Sequence, residues 1–104
     1  MTDIYRAIAD PIRRQILLMT AQKECTQSEI VSVFTISQPA IIKHLTILKE
    51  EGLLEERRSG RYCFYRLNQS VFRNSYSNLQ QELGAILEQK LVNLKLFLEK
   101  DDDQ

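Results

Sequence analysis

The sequence has little of several residue types, and each scarcity argues against a class of protein. It contains no tryptophan, one histidine, two cysteines and three glycines in 104 residues. With one histidine and no glycine-rich phosphate loop, it has no nucleophile–base motif, so an enzyme is not expected. Cys25 and Cys63 lack the spacing of a zinc motif, and we expect them to be buried thiols rather than a disulfide.

Long apolar runs are also absent. No stretch is long enough to span a membrane, and residues 1–6 lack the features of a signal peptide. We therefore expect a cytoplasmic protein with no membrane partner. A chain of this length is the size of one domain with a modest core.

Neither sign of charge is in excess, because the formal net charge is zero. Residues 1–66 carry ten basic and eight acidic side chains, and residues 67–104 carry four and six. This balance argues against indiscriminate binding of polyanions. Any contact with nucleic acid must come from a local patch.

Residues 37–51 are predicted to form the helix around which the chain is organised. Ser37 can cap its first turn, Pro39 fits within that turn, and Gly52 can end the helix in the left-handed conformation. Ile41, Leu45 and Leu48 recur at helical spacing and form an apolar face.

The rest of this helix has the character of a recognition surface. A narrow, hydrogen-bonding face with a positive charge suits the major groove, and it consists of Gln38, Ala40, Lys43 and Thr46. The alternative is an ordinary amphipathic surface helix, since periodicity alone indicates only one buried face.

A short helix is predicted just before it. Residues 26–29 fit a capping box, in which Thr26 and Glu29 satisfy each other's backbone N–H groups. Ile30, Val33 and Phe34 would form its apolar face. Two short helices joined by a tight turn, the second with a polar outer face, predict a helix-turn-helix.

Two earlier helices are predicted, over residues 2–9 and from Pro11 to about Gln22, with Asp10 as the cap of the second. Arg13 and Arg14 lie in the first turn of the second helix, where the helix dipole disfavours cations. Either they pair with carboxylates such as Asp10, or they approach a phosphate.

Residues 53–67 predict a β-hairpin that turns at Ser59 and Gly60. Its tip would hold Arg57, Arg58 and Arg61, which could reach a phosphate or a minor groove. An isolated basic tip is usually just solvated, but directly after a helix-turn-helix it is typical of a wing.

A last helix is predicted over about residues 69–99, followed by an acidic tail at 100–104. About thirty residues would make a rod of about 45 Å, too long for so small a domain to cover. Its apolar stripe predicts self-association, which would suit a palindromic operator. The alternative is a rod that folds back on its own domain or binds another protein.

Four motifs in order resemble the ArsR/SmtB family of winged-helix repressors, and they cover residues 4–67. They are residues 7–17 (AIADPIRRQIL), 36–45 (ISQPAIIKHL), 48–54 (LKEEGLL), and 57–62 with 65–67 (RRSGRY and YRL). Within the family the sequence most resembles the SdpR-like autorepressor branch. The resemblance implies a mainly α fold with a small β-hairpin, that is, a winged helix-turn-helix with a long C-terminal dimerisation helix.

The resemblance also implies a homodimer that represses by occupying double-stranded operator DNA. The residues expected at the DNA are Gln38, Pro39, Ala40, Ile42, Lys43, His44, Thr46, Thr26, Gln27, Arg57, Arg58 and Arg61. Those expected in the dimer interface are Ile4, Tyr5, Ile8, Leu79, Leu83, Ile86, Leu87, Leu91 and Leu94.

Two residues stay open at this level. His44 either lies near DNA or packs between helices. Ile42 stands where the family usually has a small polar residue, and either it touches thymine methyls or the helix is rotated so that another face reads the DNA. The family's metal sites do not carry over, since its cysteine pair falls on Thr26 and Ser28 and the last helix has no histidine. We therefore expect no metal or other cofactor. The alternatives are a redox- or ligand-responsive repressor of the same fold and a winged-helix module that binds proteins.

Overall fold

The computed structural model describes the backbone of residues 3–102 and the side chains of residues 3–99. The described elements follow one another as α1 (Ile4–Ala9), α2 (Pro11–Gln22), β1 (Cys25–Thr26), α3 (Gln27–Val33), α4 (Gln38–Glu50), β2 (Leu54–Ser59), β3 (Tyr62–Leu67) and α5 (Gln69–Asp102).

The chain divides into two compact units, Met1–Arg73 and Asn74–Gln104. The first unit holds the winged helix. The second is the continuation of α5, a single helix whose backbone hydrogen bonds are made within itself. Apolar side chains on this part of α5 are half or more exposed, including Leu83, Ile86, Leu87, Leu91 and Leu94.

Both termini differ from the prediction. Residue 2, where the first helix was expected to begin, lies outside the described residues, and α1 begins at Ile4 after an Asp3 cap. α5 extends to Asp102, so residues 100–102 are helical rather than part of an acidic tail. No proline or glycine follows Gly84, so nothing in the sequence ends the helix earlier.

The predicted helix caps are confirmed. The Asp10 carboxylate accepts hydrogen bonds from the N–H groups of Ile12 and Arg13 at 2.8 and 3.0 Å. Thr26 and Glu29 form the reciprocal capping box. Ser37 Oγ accepts from the N–H of Ala40 at 3.3 Å. These contacts satisfy donors that every helix start otherwise leaves unpaired.

Burial opposes the ionisation of Asp10, but hydrogen bonds from two N–H groups and the charge of Arg13 outweigh it, so the pKa of this carboxyl lies below its usual value. Asp10 therefore stabilises the fold above its unfolded-state pKa, and this contribution is lost as pH falls through the lower folded-state pKa.

Asp10→Asn keeps a capping oxygen but cannot titrate. We expect the free energy of unfolding to fall less steeply in Asp10→Asn than in the wild type over roughly pH 5 to 2, by about 1 kcal/mol or less. Urea unfolding at a series of pH values and one protein concentration measures this, and parallel curves would contradict it.

The predicted helix stop at Gly52 is confirmed, since α4 ends at Glu50, Glu51 is its C-cap and Gly52 follows in the left-handed conformation. Gly52 has φ +75°, the N–H of Leu53 donates to the carbonyl of Leu48 at 2.9 Å, and the N–H of Gly52 donates to that of Lys49 at 3.0 Å. This pair of bonds is the Schellman arrangement, which needs a left-handed residue at the helix end.

We expect Gly52→Ala to lower the free energy of unfolding by about 1–2 kcal/mol, because an alanine is strained at this φ. Space is not the cause, since the added Cβ would lie 3.8 Å from Val71. Gly84→Ala is the matched control: it lies inside α5 with open space around it, so it should raise helix stability by about 0.5–1 kcal/mol. Denaturant titrations measure both, and equal effects at the two glycines would contradict this explanation.

The hairpin of β2 and β3 is antiparallel and runs from the Leu54–Leu67 pair to the Ser59–Tyr62 pair. A third strand, β1, pairs with the other edge of β3, so the sheet order is β1–β3–β2. This strand was not predicted, because two residues are too short to show an alternating pattern. It ties the start of α3 to the wing.

The core of the first unit joins all of its helices to the sheet. Val33, expected to face inward, is instead 52% exposed. The fully or nearly fully buried apolar residues are Ala7, Ile16, Leu17, Cys25, Ile30, Ile41, Leu45, Leu48, Leu53, Leu54 and Tyr65.

Arg13 and Arg14 donate hydrogen bonds to backbone carbonyls of α1, which the sequence did not suggest. Arg13 donates to the carbonyls of Arg6 and Ala7, and Arg14 to those of Ile8 and Ala9, all at 2.6–3.0 Å. These are the last four carbonyls of α1, which have no partner within their own helix. The two side chains therefore satisfy the end of one helix from the start of the next, and neither forms an ion pair among the described residues.

Candidate nucleic-acid interface

The outer face of α4 is open to solvent. Pro39, Lys43 and Thr46 are exposed and recur at steps of three and four, opposite the buried Ile41, Leu45 and Leu48. Lys43 forms no ion pair with any residue that the structure describes, so its charge is available to a ligand. Thr46 Oγ1 donates back to the carbonyl of Ile42 at 2.9 Å.

The remaining candidates on α4 differ in exposure. Gln38 is exposed at the first turn, whereas Ala40 and His44 are half-buried at the margin of the outer face. Ile42 is 38% exposed while Ile41 is fully buried. The helix is therefore rotated as the apolar spacing predicted, and Ile42 lies on the solvent side.

A polar cavity of about 280 Å³ separates the start of α3 from the wing. Arg58 and Arg61 line it from the wing side, and Thr26, Gln27 and Ser28 line it from the helix side. A second cavity of about 180 Å³ lies between α3 and the start of α4, and Gln27, Ser28 and Gln38 are among its lining residues. Because Gln27 and Ser28 line both cavities, they connect the wing to the recognition helix.

The Thr26 hydroxyl is already committed to the capping box. It accepts from the N–H of Glu29 and lies 3.1 Å from the Glu29 carboxylate. The N–H of Thr26 also donates to that carboxylate, at 3.2 Å, so both donors of Thr26 are used within the capping box. Hydrogen bonds from Thr26 and Lys23 hold the pKa of Glu29 below its usual value.

The three wing arginines are not equivalent. Arg57 lies along β2 rather than at the tip, where it makes a two-pronged ion pair with Glu24 at 2.6 and 3.3 Å and stacks 4.4 Å from the Phe64 ring. This pairing lowers the pKa of Glu24 and raises that of Arg57. Arg58 and Arg61 flank the turn at Gly60 and are exposed.

Glu56 connects the wing to the recognition helix. Its carboxylate accepts from Lys49 Nζ and from the Tyr65 hydroxyl, each at 3.1 Å, and lies 3.5 Å from Arg58 Nε. The hydrogen bond from Lys49 holds the pKa of this carboxyl below its usual value, despite partial burial. Burial, Cys63 and Glu56 all raise the pKa of Tyr65.

Three residues that line the polar cavity were not among those expected at the DNA, namely Ser28, Tyr62 and Cys63. Ser28 was considered only in the capping box and at the family's cysteine position, and Tyr62 is 53% exposed. The signal for Tyr62 was available: it alternates with Cys63 and Tyr65, and only one face of the hairpin can pack on the helices.

The cysteines lie in different environments. Cys25 is 1% exposed, and burial raises the pKa of its thiol. A raised pKa makes Cys25 a poor nucleophile. Cys63 is half-buried at the polar cavity. Among the residues that the structure describes, no three histidine, cysteine, aspartate or glutamate side chains cluster as metal ligands.

Within residues 3–102, no single helix is long and apolar enough to cross a bilayer. Taken together, α3 and α4 have the length and apolar composition of a membrane span, although the two helices are bent by 119° at their junction.

A short helix, a tight turn, a second helix with an open outer face and a basic hairpin together define a winged helix-turn-helix protein. The family described as bacterial regulatory protein, arsR family, matches residues 10–56. The transcriptional repressor SdpR of Bacillus subtilis (strain 168) is 37% identical over 75 residues, which are 72% of this chain and 83% of SdpR.

Solved structures agree with the sequence comparison. An ArsR-like transcriptional regulator from Rhodococcus sp. RHA1 has a TM-score of 0.77 at 27% identity, covering 93% of this chain and 88% of the other. HlyU from Vibrio cholerae N16961 has a TM-score of 0.62 at 31% identity, covering 77% and 86%. The chain therefore belongs to the ArsR/SmtB family of DNA-binding transcriptional repressors, which are not enzymes.

Proposed function

We propose that the protein is a homodimeric, sequence-specific repressor that occupies a palindromic operator near its own gene and does so without metal. One observation carries the proposal: Gln38 at the start of α4, the start of α3 and the exposed wing arginines line two cavities that share Gln27 and Ser28, beside the open outer face of α4. A recognition helix in the major groove with a wing on the adjacent backbone requires this grouping.

The residues divide by what they would contact. Reading of base edges is assigned to the outer face and margin of α4, namely Gln38, Ala40, Ile42, Lys43 and His44. Backbone contacts are assigned to Arg58, Arg61 and the N–H of Gln27 at the start of α3. Thr26 is left out because Glu29 accepts from both of its donors. Pro39 and Thr46 would lie along the groove. Arg57 is assigned to holding the wing, because Glu24 already neutralises its charge.

Two features support self-association. The second unit exposes Leu83, Ile86, Leu87, Leu91 and Leu94, which recur at steps of three and four along α5 except for the adjacent pair Ile86 and Leu87. In the first unit, an open apolar cavity of about 280 Å³ is lined by residues that include Ile8, Leu18 and Phe72. Apolar surface left open in this way favours a partner, and a second copy is the simplest one. The other residues expected in the dimer interface are less exposed: Ile4 and Tyr5 are half-buried on α1, and Leu79 is half-buried on α5.

Autorepression is supported by the likeness to SdpR, and metal independence by the lack of the family's ligands in the sequence. The experiment measures binding of the purified protein to DNA upstream of its own gene, with excess competitor DNA, over a range of salt. It is repeated with zinc, with chelator and with oxidant. Tight, salt-dependent binding that these additions do not change supports the proposal.

Other outcomes of this experiment would indicate a different function. Loss of binding with zinc or oxidant would show a metal- or redox-responsive repressor of the same fold. Specific binding to another operator but not to this DNA would overturn autorepression alone. A salt-insensitive complex with a protein, and no specific DNA binding, would instead show an interaction module.

A further inference from the structure

The third contact of Arg13 reaches the recognition helix. Besides capping α1, Arg13 places its Nη1 3.0 Å from Nδ1 of His44 on α4. Arginine is always protonated and can only donate, so Nδ1 must be the acceptor. A neutral imidazole whose Nδ1 accepts carries its proton on Nε2. Arg13 therefore fixes the tautomer of the one histidine in the chain.

Nε2 of His44 has no hydrogen-bond partner among the described residues. The structure leaves no buried side-chain nitrogen or oxygen without a partner in that part of the chain, so Nε2 is reached by solvent. The ring is half-buried. One nitrogen thus faces Arg13, and the other presents an N–H to solvent in a fixed direction.

The guanidinium of Arg13 is itself held firmly. Nε donates to the carbonyl of Ala7 at 2.8 Å and Nη2 to that of Arg6 at 3.0 Å. Because the guanidinium is planar and two of its nitrogens are bound to α1, Nη1 cannot move away from His44 without breaking both of those hydrogen bonds. A group held this way loses little further freedom when it orients a neighbour.

The position of His44 on α4 indicates what its N–H would meet. His44 lies at the margin of the outer face, beside Ala40, whereas Pro39, Lys43 and Thr46 occupy its middle. When a helix enters a groove, its middle faces the base edges and its margins face the backbone. The chemistry expected at Nε2–H is therefore a phosphate oxygen.

We infer, on the basis of the proposed DNA-binding function, that Arg13 is a positioning residue: it holds His44 so that Nε2–H donates to a backbone phosphate of the operator. Arg13 does not touch DNA in this arrangement. It connects the end of α1 to the recognition helix through one side chain. The assignment of His44 changes from base reading to backbone contact.

Arg14 supplies a matched control. Arg13→Gln and Arg14→Gln each remove one positive charge and two contacts with α1 carbonyls, but only Arg13→Gln removes the partner of His44. Arg13→Gln should weaken operator binding about three- to tenfold more than Arg14→Gln. This is less than the value of a full hydrogen bond to a charged acceptor, because His44 itself remains and only its orientation is lost. This excess should vanish when both changes are repeated in a His44→Ala background.

Further readouts separate positioning from simple capping. Nitrogen-15 NMR of His44 should show the Nε2–H tautomer in the wild type and in Arg14→Gln, and a mixture in Arg13→Gln. His44→Asn, which keeps an acceptor near Nδ1 but loses the outward donor, tests the contact without disturbing α1. It should weaken binding to the operator and to unrelated DNA by the same factor.

The outcomes are distinct. Equal losses in Arg13→Gln and Arg14→Gln, with intact wild-type binding, would overturn this inference and leave the proposed function standing. So would a wild-type Nδ1–H tautomer. Loss of discrimination in His44→Asn would overturn the phosphate assignment. A wild type that binds no DNA would overturn the proposed function and this inference together.

Discussion

Leu87→Glu should convert the protein from dimer to monomer and lower operator affinity by on the order of 100-fold or more. Leu87 is 59% exposed within the chain, so the substitution leaves the core of the first unit unchanged. In a self-paired α5 it would bury a carboxylate against apolar side chains without a partner, which costs several kcal/mol. Without the dimer, each half-site binds alone and loses an avidity gain on the order of 10²–10⁴.

Ala85→Glu is the matched control. It adds the same charge to the same helix, but two residues away a helix position lies about 160° from Leu87. Analytical ultracentrifugation gives the oligomeric state, and a mobility-shift titration gives the affinity. We expect Ala85→Glu to remain dimeric and to bind as the wild type does. A Leu87→Glu protein that stays dimeric, or one that binds normally as a monomer, would contradict the assignment of α5.

Lys43→Ala should lower affinity for the operator about 10- to 100-fold while changing binding to unrelated DNA much less. Its ammonium lies at the middle of the outer face without an ion-pair partner among the described residues. A side chain that donates to a base edge discriminates by about 1–3 kcal/mol. The ratio of operator to competitor affinity at one salt concentration measures this effect.

Arg58→Ala and Arg61→Ala should instead weaken binding to all sequences. Each removes two phosphate contacts from a dimer, so the slope of log affinity against log salt should become shallower by about two. Arg57→Ala is the internal control: Glu24 holds it through two contacts at 2.6 and 3.3 Å, whereas Arg58 has a single 3.5 Å contact with Glu56, so the slope should stay near that of the wild type. Equal loss of discrimination in the Lys43, Arg58 and Arg61 variants would contradict this division of roles.

Much of the first unit was predictable because its signals are local. Capping depends on residues within one turn, so Asp10, Thr26 and Ser37 could be identified by spacing alone. Helical spacing likewise identified Ile41, Leu45 and Leu48 as the buried face of α4, and their burial is confirmed. The turn at Gly60 and the end of α4 at Gly52 follow from the special backbone freedom of glycine.

The assignments that failed or stayed open depend on residues far apart in the sequence. Arg57 was grouped with the wing tip because Glu24, 33 residues earlier, cannot be recognised as its partner from spacing. The strand β1 exists only because it pairs with residues of β3 that lie 38 and 40 positions later. His44 could not be assigned between packing and DNA contact, because its partner Arg13 lies on another helix.

The sequence by itself determined where α2, α3 and α4 begin, which face of α4 is buried, and that a basic hairpin follows a helix-turn-helix. These depend on propensity, capping and periodicity, which act over a few neighbouring residues. Only the tertiary structure decided which cations form ion pairs, which nitrogen of His44 faces Arg13, and that Arg13 and Arg14 donate to the carbonyls of α1. The sequence gives the charge of each side chain. Its partner depends on folding, which brings groups that are far apart in the sequence within hydrogen-bond distance.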